Sequence, residues 1–266
     1  MRDFIGEFIG VFILVFFGCG SVAVTIIFSA HVGLFQVAFI WGVAVTLAIY
    51  ASRHLSNAHL NPAVTLAMII SRRMPMRKLP TYLLAQFLGA FIAAGLLYLL
   101  FSDSIAHYES INGIIRGEPK SIKTAMFFGE FYPNPANGVI FPISILNAFL
   151  AELIGTFFLV FMVFALTEDC NVGKPSIKLA PVFIGLTVTI IICIVAPLTQ
   201  AGLNPARDLS PRVFSMIAGW KSAALPDKHY GFLIVYVAGP LVGGVLASII
   251  FTKLIQPILD KKIFGD

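Results

Sequence analysis

Two copies of Asn-Pro-Ala, Asn61-Pro62-Ala63 and Asn204-Pro205-Ala206, stand 143 residues apart, and Arg207 follows the second directly. Asn is a strong helix N-cap and Pro is favoured at the first helical position, so each motif reads as a helix start. The apolar stretch after each is short. Residues 61–71 make roughly 16 Å of helix, about half the hydrocarbon thickness of a bilayer. We therefore read 61–71 and 204–217 as half-helices dipping in from opposite faces. Their N-termini then meet near the midplane, where unpaired N–H groups and the helix dipole give partial positive charge. The chemistry this can do is recognition: donors aimed at a passing neutral oxygen, with cations repelled. The segments leading in, 56–60 and 199–203, are expected to be non-helical. At membrane depth such backbone survives only inside protein or along a water-filled cavity. It would offer the carbonyls of Asn57, Ala58, His59, Gln200, Ala201 and Gly202 as acceptors. A third copy, Asn134-Pro135-Ala136, is flanked by Tyr132-Pro133 and Asn137-Gly138 and lacks an apolar follower, so it reads as a turn.

Three charged residues fall inside apolar segments. An Arg at the centre of a membrane helix costs about 2.5–3.5 kcal/mol on insertion scales, so Arg207 is expected to line a pore, donating to solute oxygens and repelling cations. Glu7 and Glu152 occupy corresponding positions in the two halves. They read as acceptors for the N–H groups of the non-helical loops, with proton coupling as the alternative. His59 sits beside the first motif. His31, His54, His107 and His229 show no metal-ligand spacing. Cys19 and Cys193 lie in apolar stretches and Cys170 in a loop, so three free thiols are expected. Neither a nucleophile–base pair nor a nucleotide loop is present, and no enzyme, metal or cofactor is expected.

Such residues need a bilayer-sized scaffold, and composition supplies one. Hydrophobic residues make up 58% of the chain and charged residues 12%, with mean hydropathy +0.92. A soluble domain carries about 25% charged residues. Six spans are read near residues 4–28, 34–52, 80–101, 143–167, 179–199 and 231–256. The halves repeat: Glu7-Phe8-Ile9-Gly10 matches Glu152-Leu153-Ile154-Gly155, and Gly42-Val43-Ala44-Val45-Thr46 matches Gly185-Leu186-Thr187-Val188-Thr189 at the same offset as the Asn motifs. Three spans per half is odd, so the second half inserts inverted about an axis in the membrane plane. One transmembrane domain, 1–266, is expected, with repeat 1 over about 1–101, an external loop over about 102–142 and repeat 2 over about 143–266. Eleven of the 18 basic residues fall on one side, from Arg2 and Arg53 to Lys261 and Lys262. The positive-inside rule places both termini there, in the cytoplasm. No basic patch on a soluble module suggests nucleic acid as a partner.

Two motifs after spans two and five resemble the aquaporin family over almost the whole chain. Asn204-Pro205-Ala206-Arg207-Asp208, with Arg212 beyond it and the long connection from Ser102 to Pro142, is similar to the glycerol-facilitator (aquaglyceroporin) branch. The resemblance implies an all-α membrane protein, a bundle of six transmembrane helices plus two re-entrant half-helices, assembled in the plasma membrane as a homotetramer with one pore per subunit. It implies a passive channel for glycerol with some water, excluding ions and protons. Other neutral solutes such as undissociated lactic acid or hydrogen peroxide are the alternative, as is a secondary transporter, which also uses inverted repeats. Family spacing implies a selectivity filter of Trp41, Ile192, Ala201 and Arg207, and loop-supporting roles for Gln86 and Asp208 beside the two glutamates. The pattern departs from the branch at three places: Ile192 stands in place of a glycine, Ala201 in place of an aromatic, and Tyr236-Val237 in place of a Pro-Leu pair.

Overall fold

The computed structural model describes residues 1–136, 141–226 and 230–264. Asn137, Gly138 and His229, and the side chains of Lys261 and Lys262, lie outside the described residues. Helices α1 (Arg2–Phe28) and α2 (Leu34–Ser52) are followed by the short α3 (Pro62–Ile70) and the long α4 (Leu79–Ile111). The connection carries α5 (Ile122–Ala125) and leads to α6 (Ile145–Thr167), α7 (Ala180–Thr199) and the short α8 (Pro205–Ser215). A last span, Gly231–Asp260, completes six helices long and apolar enough to cross a membrane. No more than half of each hydrophobic window is buried. The outward remainder is Leu, Ile, Phe and Val, a surface suited to lipid and not to water.

The spans match the sequence reading to within a few residues, except that α4 runs on to Ile111 where a loop was expected from 102. Nothing between Ser102 and Ile111 breaks a helix; the first breaker is Asn112-Gly113. Ile105 and Glu109, four residues apart and so on one face, are both buried there. Glu109 pairs with Arg116 at 2.8 Å and accepts from Thr124 at 2.7 Å, which fastens the connection back onto the helix.

The two repeats lock together at the centre, where α2 crosses α7. A Cβ on Gly42 would stand 2.5 Å from the carbonyl of Gly185, and one on Gly185 would overlap Gly42 and Thr46 in return. Only glycine allows backbones this close. Each half-helix docks on the opposite repeat. Ser248 in the last span donates to the Ala67 carbonyl of α3 at 2.9 Å, and Ser210 in α8 donates to the Phe87 carbonyl of α4 at 2.6 Å. The short helices are thus held by the partner repeat, and their N-termini point at each other.

Candidate functional site

Asn61 and Asn204 cap α3 and α8. The Asn61 side-chain oxygen accepts from the Ala63 N–H at 2.8 Å, and that of Asn204 from Ala206 at 3.1 Å and Arg207 at 3.3 Å. Each amide nitrogen reaches across the axis: Asn61 donates to the Leu203 carbonyl at 2.9 Å and Asn204 to the Leu60 carbonyl at 2.8 Å. A carboxamide nitrogen carries two hydrogens, so one on each Asn remains after this cross-link.

The loops before the caps have the same unusual backbone in both halves. Ala58 and Leu60 are left-handed (φ 51° and 55°), as are Ala201 and Leu203 (φ 64° and 55°). Non-glycine residues rarely adopt this conformation and need surrounding structure to hold them there. Two buried carboxylates do so. Glu7 accepts from Ser56 (2.7 Å), the His59 N–H (3.0 Å) and the Leu60 N–H (2.7 Å). Glu152 accepts from Thr199 (2.6 Å), the Gly202 N–H (2.9 Å) and the Leu203 N–H (2.7 Å). With their N–H groups tied inward, successive carbonyls are turned elsewhere. Gln86 donates to Glu7 at 2.7 Å and to Thr65 at 3.0 Å, so it steadies the carboxylate and the half-helix, with no direct bond to the loop.

A cavity of about 360 Å³ runs along the axis, lined mainly by aliphatic side chains. At one end stand Arg53, Arg73 and Lys174; it then passes Asn57, Ala58, His59, Asn61 and Asn204, and reaches Trp41, Ile192, Ala201 and Arg207 at the other. The four positions expected to form the filter therefore line one cavity. The Arg207 guanidinium lies over the Trp41 ring, 4.2 Å from its centroid, a cation–π contact. Gly202 also lines the cavity, whereas Gln200 does not; its side-chain oxygen accepts from the Phe131 N–H at 2.8 Å. Asp208 bears on the long connection between α5 and α6. It accepts from the Glu130 N–H at 2.7 Å and pairs with Arg212 at 2.6 Å, anchoring the long connection on α8.

Four contributors escaped the sequence reading. Ser56 and Thr199 join the carboxylates to their loops; their equivalent positions in the repeat were the available signal. Tyr236, fully buried, donates its hydroxyl to the Thr199 carbonyl at 3.1 Å. Glu130 forms an ion pair with Arg207. A lone acid within the apolar run from Ala125 to Phe131 was its signal, but no spacing rule connects it to Arg207. Among the described residues the third Asn-Pro-Ala is a turn, and Asn134 there donates to the Ala196 carbonyl at 2.7 Å. No group of three potential metal ligands occurs among the described residues.

A family model described as "Major intrinsic protein" matches residues 1–251. The chain is 38% identical over 252 residues to the glycerol uptake facilitator protein of Haemophilus influenzae, covering 94% of this chain and 92% of that one. It is 37% identical over 252 residues to the propanediol uptake facilitator of Citrobacter freundii, covering 94% and 91%. Among solved structures it is similar to the aquaglyceroporin from Plasmodium falciparum, with a TM-score of 0.82 at 31% identity, covering 97% of this chain and 98% of that one.

Proposed function

The chain belongs to the major intrinsic protein family, and from that premise we propose that it is a passive channel for glycerol, with some water, that excludes ions and protons. The observation that carries the reading is the continuous cavity with Asn61 and Asn204 at its middle and Arg207 at one end. A polyol crossing it meets donors along one line: the free amide hydrogens of the two Asn residues and the guanidinium of Arg207. Carbonyls of the two left-handed loops face it as acceptors. Ile192, Ala201 and the Trp41 ring give the carbon backbone of the solute an apolar wall. Relatives named for glycerol and for propanediol uptake support a short polyol over a strictly water-sized solute.

A hydrated cation fits this passage poorly. It would have to shed water among apolar walls, and two half-helix N-termini oppose positive charge at the midplane. The roles of Trp41, Ile192, Ala201 and Arg207 as the filter, and of Asn57, Ala58, His59 and Gly202 as the carbonyl acceptors of the ladder, form part of this proposal. So do a homotetrameric assembly in the plasma membrane and cytoplasmic termini, the last resting on the bias of Lys and Arg. The test is osmotic shrinkage and re-swelling of proteoliposomes in a glycerol gradient. Re-swelling at the rate of empty liposomes would refute the reading.

A further inference from the structure

Glu130 lies in the connection between α5 and α6 and is 2% exposed. A buried carboxylate is costly unless paired and hydrogen-bonded, so its position calls for a cause. The backbone of Glu130 is fixed from two sides: its N–H donates to Asp208 at 2.7 Å and its carbonyl accepts from Arg212 at 2.5 Å. The side chain is thereby aimed at Arg207, with which it forms an ion pair through one oxygen and one guanidinium nitrogen. Arg207 is held between the Trp41 ring on one side and the Glu130 carboxylate on another. Arg207 lines the cavity and Glu130 does not, so Glu130 acts through its partner. The second carboxylate oxygen of Glu130 and the Nη1 of Arg207 have no partner among the described residues. The pair therefore leaves one donor edge of the guanidinium uncommitted.

The geometry points to Glu130 as a positioning residue that sets the selectivity of the constriction: its carboxylate compensates the charge of Arg207 and holds the guanidinium against Trp41, leaving one donor edge for the solute. This rests on Arg207 lining the constriction of a neutral-solute channel, as proposed above. It has a consequence for ions. With Glu130 and Asp208 balancing Arg207 and Arg212, these four side chains carry no formal net charge together, and cation exclusion falls mainly to the half-helix ends at the midplane. Without its partner, the long Arg207 side chain regains rotamers that reach into the passage.

Glu130→Gln keeps the size of the side chain and removes its charge, whereas Glu130→Asp keeps the charge. Both are reconstituted with wild type, and water and glycerol permeability are read by light scattering. The glycerol-to-water ratio does not depend on how many channels are folded, so it moves only if the passage changes. Glu130→Gln is expected to lower that ratio threefold or more, because the released guanidinium obstructs the larger solute. Glu130→Asp is expected to lower it less than twofold. A ratio that is unchanged or raised in Glu130→Gln overturns the proposal. An equal drop in Glu130→Asp also overturns it, as does parallel loss of both permeabilities in both variants, which leaves only a folding role. Wild type closed to glycerol refutes the channel reading instead. The comparison is then made, with the same thresholds, on the largest neutral solute that wild type passes.

Discussion

Asn61 donates its side-chain amide to the carbonyl of Leu203, a residue in the opposite repeat, at 2.9 Å. Asn204 answers with the carbonyl of Leu60 at 2.8 Å. The two half-helices are thus joined by a reciprocal pair of bonds at the point where both begin. Each Asn is at once a helix cap, a cross-repeat tie and a donor beside the passage.

Replacing either Asn by Ala removes a cap worth about 1 kcal/mol and a buried hydrogen bond worth about as much, so each variant should lose roughly 2 kcal/mol. Because both act on one junction, the double variant should lose less than the sum by at least about 0.5 kcal/mol. Unfolding of the purified protein in mixed micelles measures this. Strict additivity would mean that the two bonds are independent.

Glu152 accepts three hydrogen bonds with two oxygens. In Glu152→Gln one oxygen becomes a donor, which leaves the Gly202 or Leu203 N–H unpaired at a cost of about 1–3 kcal/mol. The loop carbonyls lose their alignment, so glycerol and water permeability should fall together. A wild-type solute flux driven by a pH gradient, and lost in this variant, would assign Glu152 to proton coupling instead.

Much of this site was legible in the chain. Asn-Pro-Ala followed by a short apolar run encodes a capped half-helix locally, and the constant offset between halves encodes the inversion. Trp41 and Ile192 could be placed only through the resemblance, because side chains from α2 and α7 meet by tertiary packing that no local pattern records. Glu130 was missed for the same reason: 77 residues separate it from Arg207, and the turn that aims it depends on Asp208 and Arg212. The polar stretch 102–111 looked like loop, yet burial of Ile105 and Glu109 makes it helix. Gln200 entered the reading only through its backbone carbonyl; that its side-chain oxygen holds the Phe131 N–H is a tertiary contact no local pattern records.

Ala201 stands between Trp41 and Arg207 on the cavity wall. An aromatic ring there adds far more contact area than a methyl group, and overpacking a close-packed site costs about 1–3 kcal/mol. Ala201→Phe should therefore lower glycerol permeability more than water permeability. If the glycerol-to-water ratio stays constant or rises, Ala201 does not line the constriction.

Cys170, in the connection between α6 and α7, has its thiol pushed up to about 11, first by a hydrogen bond with Asp260 and then by burial. The thiolate is the reactive form, so a raised value means slow alkylation at neutral pH. Maleimide labelling of Cys170 should climb about tenfold per pH unit between pH 7 and 9, and Asp260→Asn should accelerate it at pH 7.5. In sealed cells a membrane-impermeant maleimide should reach it only after lysis, since the proposed orientation puts that connection in the cytoplasm. Labelling of intact cells would reverse the orientation.

The most direct test of a neutral-solute channel is to record glycerol re-swelling and proton leak in the same proteoliposomes, the latter from a trapped pH-sensitive dye under an imposed pH gradient. The account predicts glycerol entry at least tenfold faster than in protein-free liposomes, with proton leak indistinguishable from theirs. Proton leak that rises in step with glycerol entry as protein density increases would contradict it.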